Sequence, residues 1–231
     1  MKKINEIIGF IENNGAGAAF ERIYAGENIT RQKKRYMALL RKHQELFGDV
    51  PAMVISAPGR TELGGNHTDH NLGIVLAGST EFDSVGIVSV SDDDIITFAS
   101  AGWDSIRLNS SDDEYRSDEE ETTASLIRGI LKRFRELGYS CGGFNLNMDS
   151  KVLRGSGLSS SASVEILIGT AVSELFNGGN AGYVEIAKIG QYAENNYFGK
   201  ASGLMDQLAC AAGGIIGIDF KDPGNPEIFP V

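Results

Sequence analysis

The chain has only two cysteines in 231 residues, Cys141 and Cys210. Two thiols so far apart form no framework of bridges and no paired metal-ligand spacing, which suits small buried side chains in a reducing compartment. There is no apolar run of about twenty residues, so no segment is built to cross a bilayer as a helix. No signal peptide is expected either. The opening Met1-Lys2-Lys3-Ile4-Asn5-Glu6 starts with lysines, but Glu6, Glu12 and Asn13 interrupt the apolar run and make it an amphipathic helix. The expected location is cytoplasmic. A basic excess is also missing: the net charge is -10, which argues against nucleic acid or an anionic membrane as partner. It leaves room for a small anionic ligand held by a local nest of backbone N–H groups. The composition, 42% hydrophobic and 23% charged, is that of an ordinary globular protein with a sizeable core, and no internal repeat divides it.

What the sequence does have is a glycine-serine stretch, Gly155-Ser156-Gly157-Leu158-Ser159-Ser160-Ser161-Ala162-Ser163, which runs into the apolar Val164–Ile168. The glycines permit a tight turn and a close approach of backbone to ligand. The serines fall where a helix begins, among unpaired N–H groups at the positive end of its dipole, a place suited to phosphate. The lysine of a Walker loop is absent. An ordinary serine-capped helix after a glycine turn fits the same residues, and only the rest of the chain decides between the two.

Helical spacing is expected over 4–13 and 30–47, the second with Tyr36, Leu39, Leu40, Leu46 and Phe47 on one face and a solvated basic run Arg31 to Arg35. A short strand at Met53–Ala57 leads into Pro58-Gly59-Arg60. Further strands are expected at 74–77, 84–90, 95–99, 105–108, 143–148 and 214–220, and helices at 126–137, 160–176 and 183–195. The acidic stretch Ser110–Glu121 reads as a mobile loop. Helices and strands alternate without a regular βαβ rhythm, so the expected class is α+β.

Two more segments carry chemistry. Gly59 to Asn71 gathers Arg60, Asn66, His67, Asp69 and His70 in a glycine-broken loop. Such a loop offers the donors and acceptors that a sugar requires. Two histidines near an aspartate also fit a metal site, and a merely structural polar loop is a third reading. Gly199 to Gln207 places Asp206 after a flexible turn, either as a helix N-cap or as a base.

Taken together, these segments resemble the galactokinases, within the GHMP kinase superfamily. Arg60 with His67-Thr68-Asp69 resembles the galactokinase signature, and Gly155–Ser163 the ATP motif. Glu194 followed by Gly203-x-Met205-Asp206-Gln207 resembles the segment that supplies a metal ligand and the catalytic aspartate. The resemblance covers about residues 45–222. It implies a GHMP-kinase N-terminal domain over 45–231, a mixed sheet packed with helices and truncated before a C-terminal domain. Residues 1–44 would form a separate helical extension. It further implies phosphoryl transfer from ATP to the anomeric hydroxyl of galactose. Asp206 would accept the sugar's proton, and Arg60 would hold Asp206 ionised. Asn66, His67, Asp69 and Gly203 would contact sugar hydroxyls, and Gly155, Ser156, Gly157, Leu158, Ser159, Ser160 and Ser161 would wrap the ATP phosphates. Ser161 and Glu194 would place magnesium.

Some positions depart from the family pattern. Asn66 stands where Glu usually precedes the histidine, which opens the choice of sugar to N-acetylgalactosamine, arabinose or galacturonate. His70 replaces a usual Tyr, and Leu153-Arg154 a usual Pro-Leu. The family's further domain lies beyond the match, so weak or absent turnover is expected of these 231 residues alone. Some relatives sense ATP and galactose without catalysis, but they lose part of the serine run that is intact here.

Overall fold

This computed structural model describes residues 1–24 and 28–231, with His70 described through its backbone only. The chain divides into two compact units. The first comprises Met1–Ser56, Val85–Ser110 and Gly142–Asp149, the second Ala57–Ser84, Ser111–Cys141 and Ser150–Val231.

The first unit holds β1 (Lys2–Lys3), α1 (Ile4–Glu12), α2 (Gly17–Ile23) and α3 (Asn28–Phe47). It also holds the start of β2 (Pro51–Gly64), the end of β3 (Ile74–Val90), β4 (Ile95–Ser100), β5 (Ile106–Asn109) and nearly all of β6 (Phe144–Ser150). Its strands are ordered β1-β2-β3-β6-β4-β5. β4 runs antiparallel to β5, with Ile96 opposite Leu108, and parallel to β6, with Phe98 opposite Leu146, so the sheet is mixed. Strand periodicity buries Ile96 and Phe98 together. On α3 the buried residues are Gln32, Tyr36, Leu39, Leu40 and His43, a helical stripe that joins Ile4, Phe20, Val85 and Ile87 in one core.

That stripe corrects the expected face. Leu46 is 45% exposed, and the place assigned to it is taken by His43, which is fully buried. The Asn147 carboxamide oxygen lies 2.5 Å from His43 Nδ1, so Nδ1 carries the proton and Nε2 accepts from the Ser89 hydroxyl at 2.9 Å. Burial, opposed by the Asn147 hydrogen bond, pulls the His43 pKa from 6.5 down to about 4. The unfolded chain therefore binds a proton that the fold refuses. Stability is full above pH 6.5 and is lost as the pH falls toward 4, by up to about 3 kcal/mol. Thermal melts across this window should show that slope, and His43→Gln should flatten it.

The basic run on α3 is not simply solvated. Arg35 is almost buried and pairs with Asp149 at 2.6 Å, and Lys33 donates to the Asn14 side chain and lies over the Phe20 ring. α2, β1 and the terminal strand described below had no clear periodic signal, being short elements held by packing.

The second unit carries the rest of β2 and β3, then α4 (Thr123–Glu136), α5 (Ser160–Asn177) and α6 (Tyr183–Ala193). A π-helical turn at Glu194–Phe198, α7 (Met205–Ala212), β7 (Ile215–Asp219) and β8 (Glu227–Pro230) complete it. β7 pairs antiparallel with β3 from Ile74 opposite Asp219 to Gly78 opposite Ile215, and β8 adds to β7. The α+β class holds.

Two local expectations do not. The glycine-broken loop expected from Gly59 begins as strand, because β2 continues to Gly64. β1 pairs only Pro51 and Ala52 of β2, so at Pro58 that edge has no ladder and a residue without an N–H is tolerated. The acidic segment 110–121 is pinned rather than mobile. The buried Arg128 of α4 grips Glu119 and Asp112, and Arg135 holds Asp113 at 2.6 Å. Thr122 caps α4 by accepting from the Ser125 N–H.

Candidate functional site

The site lies in the second unit, where β2, the loop before α5 and the first turn of α7 meet. β2 presents Arg60, buried to 7% exposure. Its Nε and Nη2 reach Asp206 Oδ1 at 2.8 and 2.7 Å, and its Nη1 donates to the Gly157 carbonyl at 2.6 Å. One guanidinium thus ties together residues 60, 157 and 206, which lie in three separate parts of the chain. Asp206 sits inside the first turn of α7, whose N-cap is Leu204. It is therefore not the capping residue that its sequence also allowed. The other oxygen of Asp206, Oδ2, accepts from the Ser159 hydroxyl.

The loop takes its shape from three left-handed residues, Gly155 (φ 73°), Gly157 (φ 76°) and Ser159 (φ 58°). An added Cβ would meet nothing within 4 Å at either glycine, so the glycines serve the backbone conformation rather than packing. Ser159 stands at the N-cap of α5 but makes no capping bond, having given its hydroxyl to Asp206. The serine-capped reading is thereby set aside. The 18-residue α5 begins without a side-chain cap, with its amide donors and dipole available to an anion.

The loop is held against β2 in two ways. The Arg60 N–H donates to the Leu158 carbonyl at 3.1 Å, and the buried Ser163 hydroxyl bonds the Ala57 carbonyl and Ser84 Oγ, each at 2.8 Å. Gly59 makes that approach possible, since a Cβ there would stand 2.8 Å from the Leu158 oxygen and 3.0 Å from Val152 Cγ1. Gly59→Ala should push the loop off β2. The expected result is a strain of about 1–2 kcal/mol, measurable as a loss of stability in denaturant unfolding.

Behind the loop is a buried polar cluster. Glu194, 1% exposed on the π-helical turn, accepts at Oε1 from Ser161 Oγ (2.7 Å) and Lys200 Nζ (2.8 Å). Its Oε2 accepts from Gln207 Nε2 at 2.9 Å, and the same amide donates to Glu165 Oε2 at 3.0 Å. Burial first, and then the Glu194 charge, push the Glu165 carboxyl well above the usual range. Among the described residues Glu165 Oε1 and Gln207 Oε1 have no hydrogen-bond partner, an unsatisfied state that a charged Glu165 would make costlier. Burial opposes the charge on Lys200, but its bond to Glu194 and that carboxylate's charge outweigh it and raise the lysine's pKa. Glu165 and Lys200 were not singled out from the sequence. The i, i+4 relation of Glu165 to Ser161 on α5 was the available signal.

The expected sugar-binding residues follow on β2 and the turn after it. Asn66 (φ 54°) and His67 (φ 52°) are exposed, left-handed residues, and Asp69 is nearly buried on a 3₁₀ turn. His67 is held by Glu62, which accepts from its N–H at 2.8 Å and lies 3.1 Å from its Nε2. Glu62 was also missed in the sequence. Strand alternation places it on the same face as Arg60. Gly203 is partly buried in the segment leading into α7, where Asn195 Oδ1 accepts from the Ser202 N–H at 2.7 Å. The side chain of His70 lies outside the described residues.

Among the described residues no three His, Cys, Asp or Glu side chains gather as a metal cage, and the imidazole-rich metal reading of the 59–71 segment turns on the His70 side chain, which lies outside them. Magnesium does not need a cage. It is a hard cation that takes one or two protein oxygens and completes its shell with water and phosphate, and the Ser161 hydroxyl with the Glu194 carboxylate fits that demand. The Cys141 thiol is pushed up to about 11 by burial, and Cys210 is raised for the same reason, so neither is a nucleophile.

Residues 125–214 match the model of the GHMP kinases N terminal domain, and residues 41–90 that of the galactokinase galactose-binding signature. Among curated proteins the chain is 36% identical over 192 residues to the galactokinase of Streptomyces coelicolor, covering 81% of this chain and 49% of that protein. It is 35% identical over 183 residues to the galactokinase of Staphylococcus carnosus, covering 78% and 45%. Among solved structures, Lactococcus lactis galactokinase complexed with galactose superposes with a TM-score of 0.77 at 31% identity, over 85% of this chain and 52% of that one. The mevalonate kinase of Methanococcus jannaschii shares the fold, with a TM-score of 0.63 at 24% identity. The chain spans about half the length of the relatives it matches. Among the described residues no helix is long and apolar enough to cross a membrane.

Proposed function

The chain belongs to the galactokinase-type GHMP kinases and carries their N-terminal region, and on that basis we propose that its site transfers the terminal phosphoryl group of ATP to the anomeric hydroxyl of galactose. The observation that carries this reading is the Arg60–Asp206–Ser159 constellation. One carboxylate, gripped at one oxygen by a buried guanidinium and at the other by a hydroxyl, stands at the mouth of an anion-binding helix N-terminus.

Phosphoryl transfer asks for positioning and for charge neutralisation, and little covalent chemistry. The left-handed loop 155–159 and the first turn of α5 cradle the phosphates with backbone N–H groups. Asp206 orients the anomeric hydroxyl and accepts its proton, its Oδ2 freed as the Ser159 hydroxyl rotates toward phosphate. Arg60 fixes Asp206 and offsets the negative charge that spreads over the transferred group. Ser161 and Glu194 would hold magnesium, which would neutralise the phosphate oxygens. Asn66, His67, Asp69 and Gly203 meet the sugar, with Glu62 orienting His67. Two carboxylates, Glu62 and Asp69, remain in this region, so a neutral sugar is favoured over galacturonate even with Asn66 in place of a glutamate.

Turnover measured on galactose, N-acetylgalactosamine, arabinose and galacturonate tests the reading. Galactose should have the highest specificity constant. Activity on another of these sugars with none on galactose contradicts it. A protein partner retained only when galactose and ATP are both present would point instead to an ATP- and galactose-sensing regulator.

A further inference from the structure

We propose that Lys200 is an exchangeable counter-cation of the metal site: its ammonium neutralises Glu194 when the metal is away, and turns to the nucleotide's phosphates when the metal arrives. The proposal rests on the kinase reading above, which makes Glu194 the metal ligand.

Glu194 is a carboxylate taken almost wholly out of water. Such a charge is costly unless a cation stands against it. Among the described residues the cation paired with it is Lys200, whose Nζ lies 2.8 Å from Glu194 Oε1. That is the same oxygen that the Ser161 hydroxyl approaches at 2.7 Å, so the ammonium stands where magnesium would be received. An ammonium and a divalent cation repel at this range, so both cannot hold one carboxylate oxygen closely. One must leave, and the lysine is the one able to move. Its side chain is 54% exposed and follows the left-handed Gly199, whereas Arg60 is fastened to Asp206 and Gly157 and is 9% exposed.

The displaced ammonium has an acceptor at hand, because a metal bound to nucleotide brings anionic phosphate oxygens to the same spot. A lysine suits this exchange as a compact charge with three donors on a flexible stem. Removing it therefore acts differently in the two states: without metal the phosphates meet a Glu194 that has lost its counter-cation, while with metal the lost phosphate contact is offset because Glu194 has lost a competitor for the metal.

The probe is AMP-PNP, titrated calorimetrically with magnesium and again with EDTA, against the unmutated protein, Lys200→Met and Lys200→Arg. For Lys200→Met, metal-free affinity should fall about tenfold, because Glu194 then faces the phosphates without its counter-cation. The enhancement of affinity by magnesium should grow by a similar factor, and Lys200→Arg should restore both values. A merely structural lysine would weaken both titrations equally and leave their ratio unchanged, and that result overturns the proposal, as does no change at all. If the unmutated protein binds no AMP-PNP with or without magnesium, the kinase reading itself falls and takes this proposal with it. Melting curves accompany each titration, and Lys200→Gln replaces Lys200→Met should the latter melt early.

Discussion

Asp206→Asn lowers phosphoryl transfer by about 10³-fold while leaving nucleotide affinity within about twofold, the range expected when a positioned base is lost. The substitution keeps shape and size. Arg60 still has the amide oxygen and the Gly157 carbonyl to bond, and Ser159 still has a partner at the other end of the group. What disappears is a proton acceptor with a full charge. Since, among the described residues, Asp206 is bonded to the loop through Ser159 and Arg60, which keep partners in the variant, the phosphates keep their cradle. The expected signature is a fall in kcat with little change in KM for ATP. A variant that loses nucleotide binding instead would assign Asp206 to the architecture of the loop, and one that loses neither would remove it from the reaction.

Arg60→Met produces the other large effect, and it strikes stability and activity together. The methionine keeps much of the buried volume but leaves Asp206 without its cation and the Gly157 carbonyl without its donor. Breaking a buried pair on one side costs about 3–5 kcal/mol. Here the lower end applies, since the Asp206 side chain keeps 24% of its surface in water. Denaturant unfolding of the second unit should therefore show a loss of about 3 kcal/mol. Activity should fall at least as far as in Asp206→Asn, since the carboxylate and the loop both lose their anchor. The double variant Arg60→Met with Asp206→Asn should be more stable than Arg60→Met alone, because the orphaned charge is gone. If instead the two losses add, the residues do not act as a pair.

Much of this site was legible in the residues themselves. Glycines at 155 and 157, a serine run and an apolar stretch after it mark a tight turn into a helix, suited to phosphate but equally to an ordinary serine cap. Arg60, Asp206 and Glu194 were found through the resemblance to galactokinases, and the structure adds hydrogen bonds that draw 60, 157, 159 and 206 together. Glu62, Glu165 and Lys200 were not legible, because their meaning is tertiary. Glu165 is four residues past Ser161 on α5, but only the packing of α6 and α7 makes it a buried acid facing Gln207. The phase of α3 failed for a related reason. Periodicity cannot tell a leucine at the frayed end of a helix from a histidine that finds two polar partners inside, as His43 does with Asn147 and Ser89. The acidic segment 110–121 misled in the opposite direction: its carboxylates look solvated in sequence, but they are ligands for a buried arginine, Arg128, thrown in from α4.

The central claim is that residues 60, 155–161, 194 and 206 form one site for phosphoryl transfer to a sugar. It is tested most directly by supplying ATP labelled in its terminal phosphate with galactose and magnesium, then locating the label by NMR, however slow the transfer. The account predicts label on the anomeric oxygen of galactose, and none above background with Asp206→Asn. Label on another hydroxyl or on a non-sugar acceptor, or equal transfer by Asp206→Asn, would contradict it.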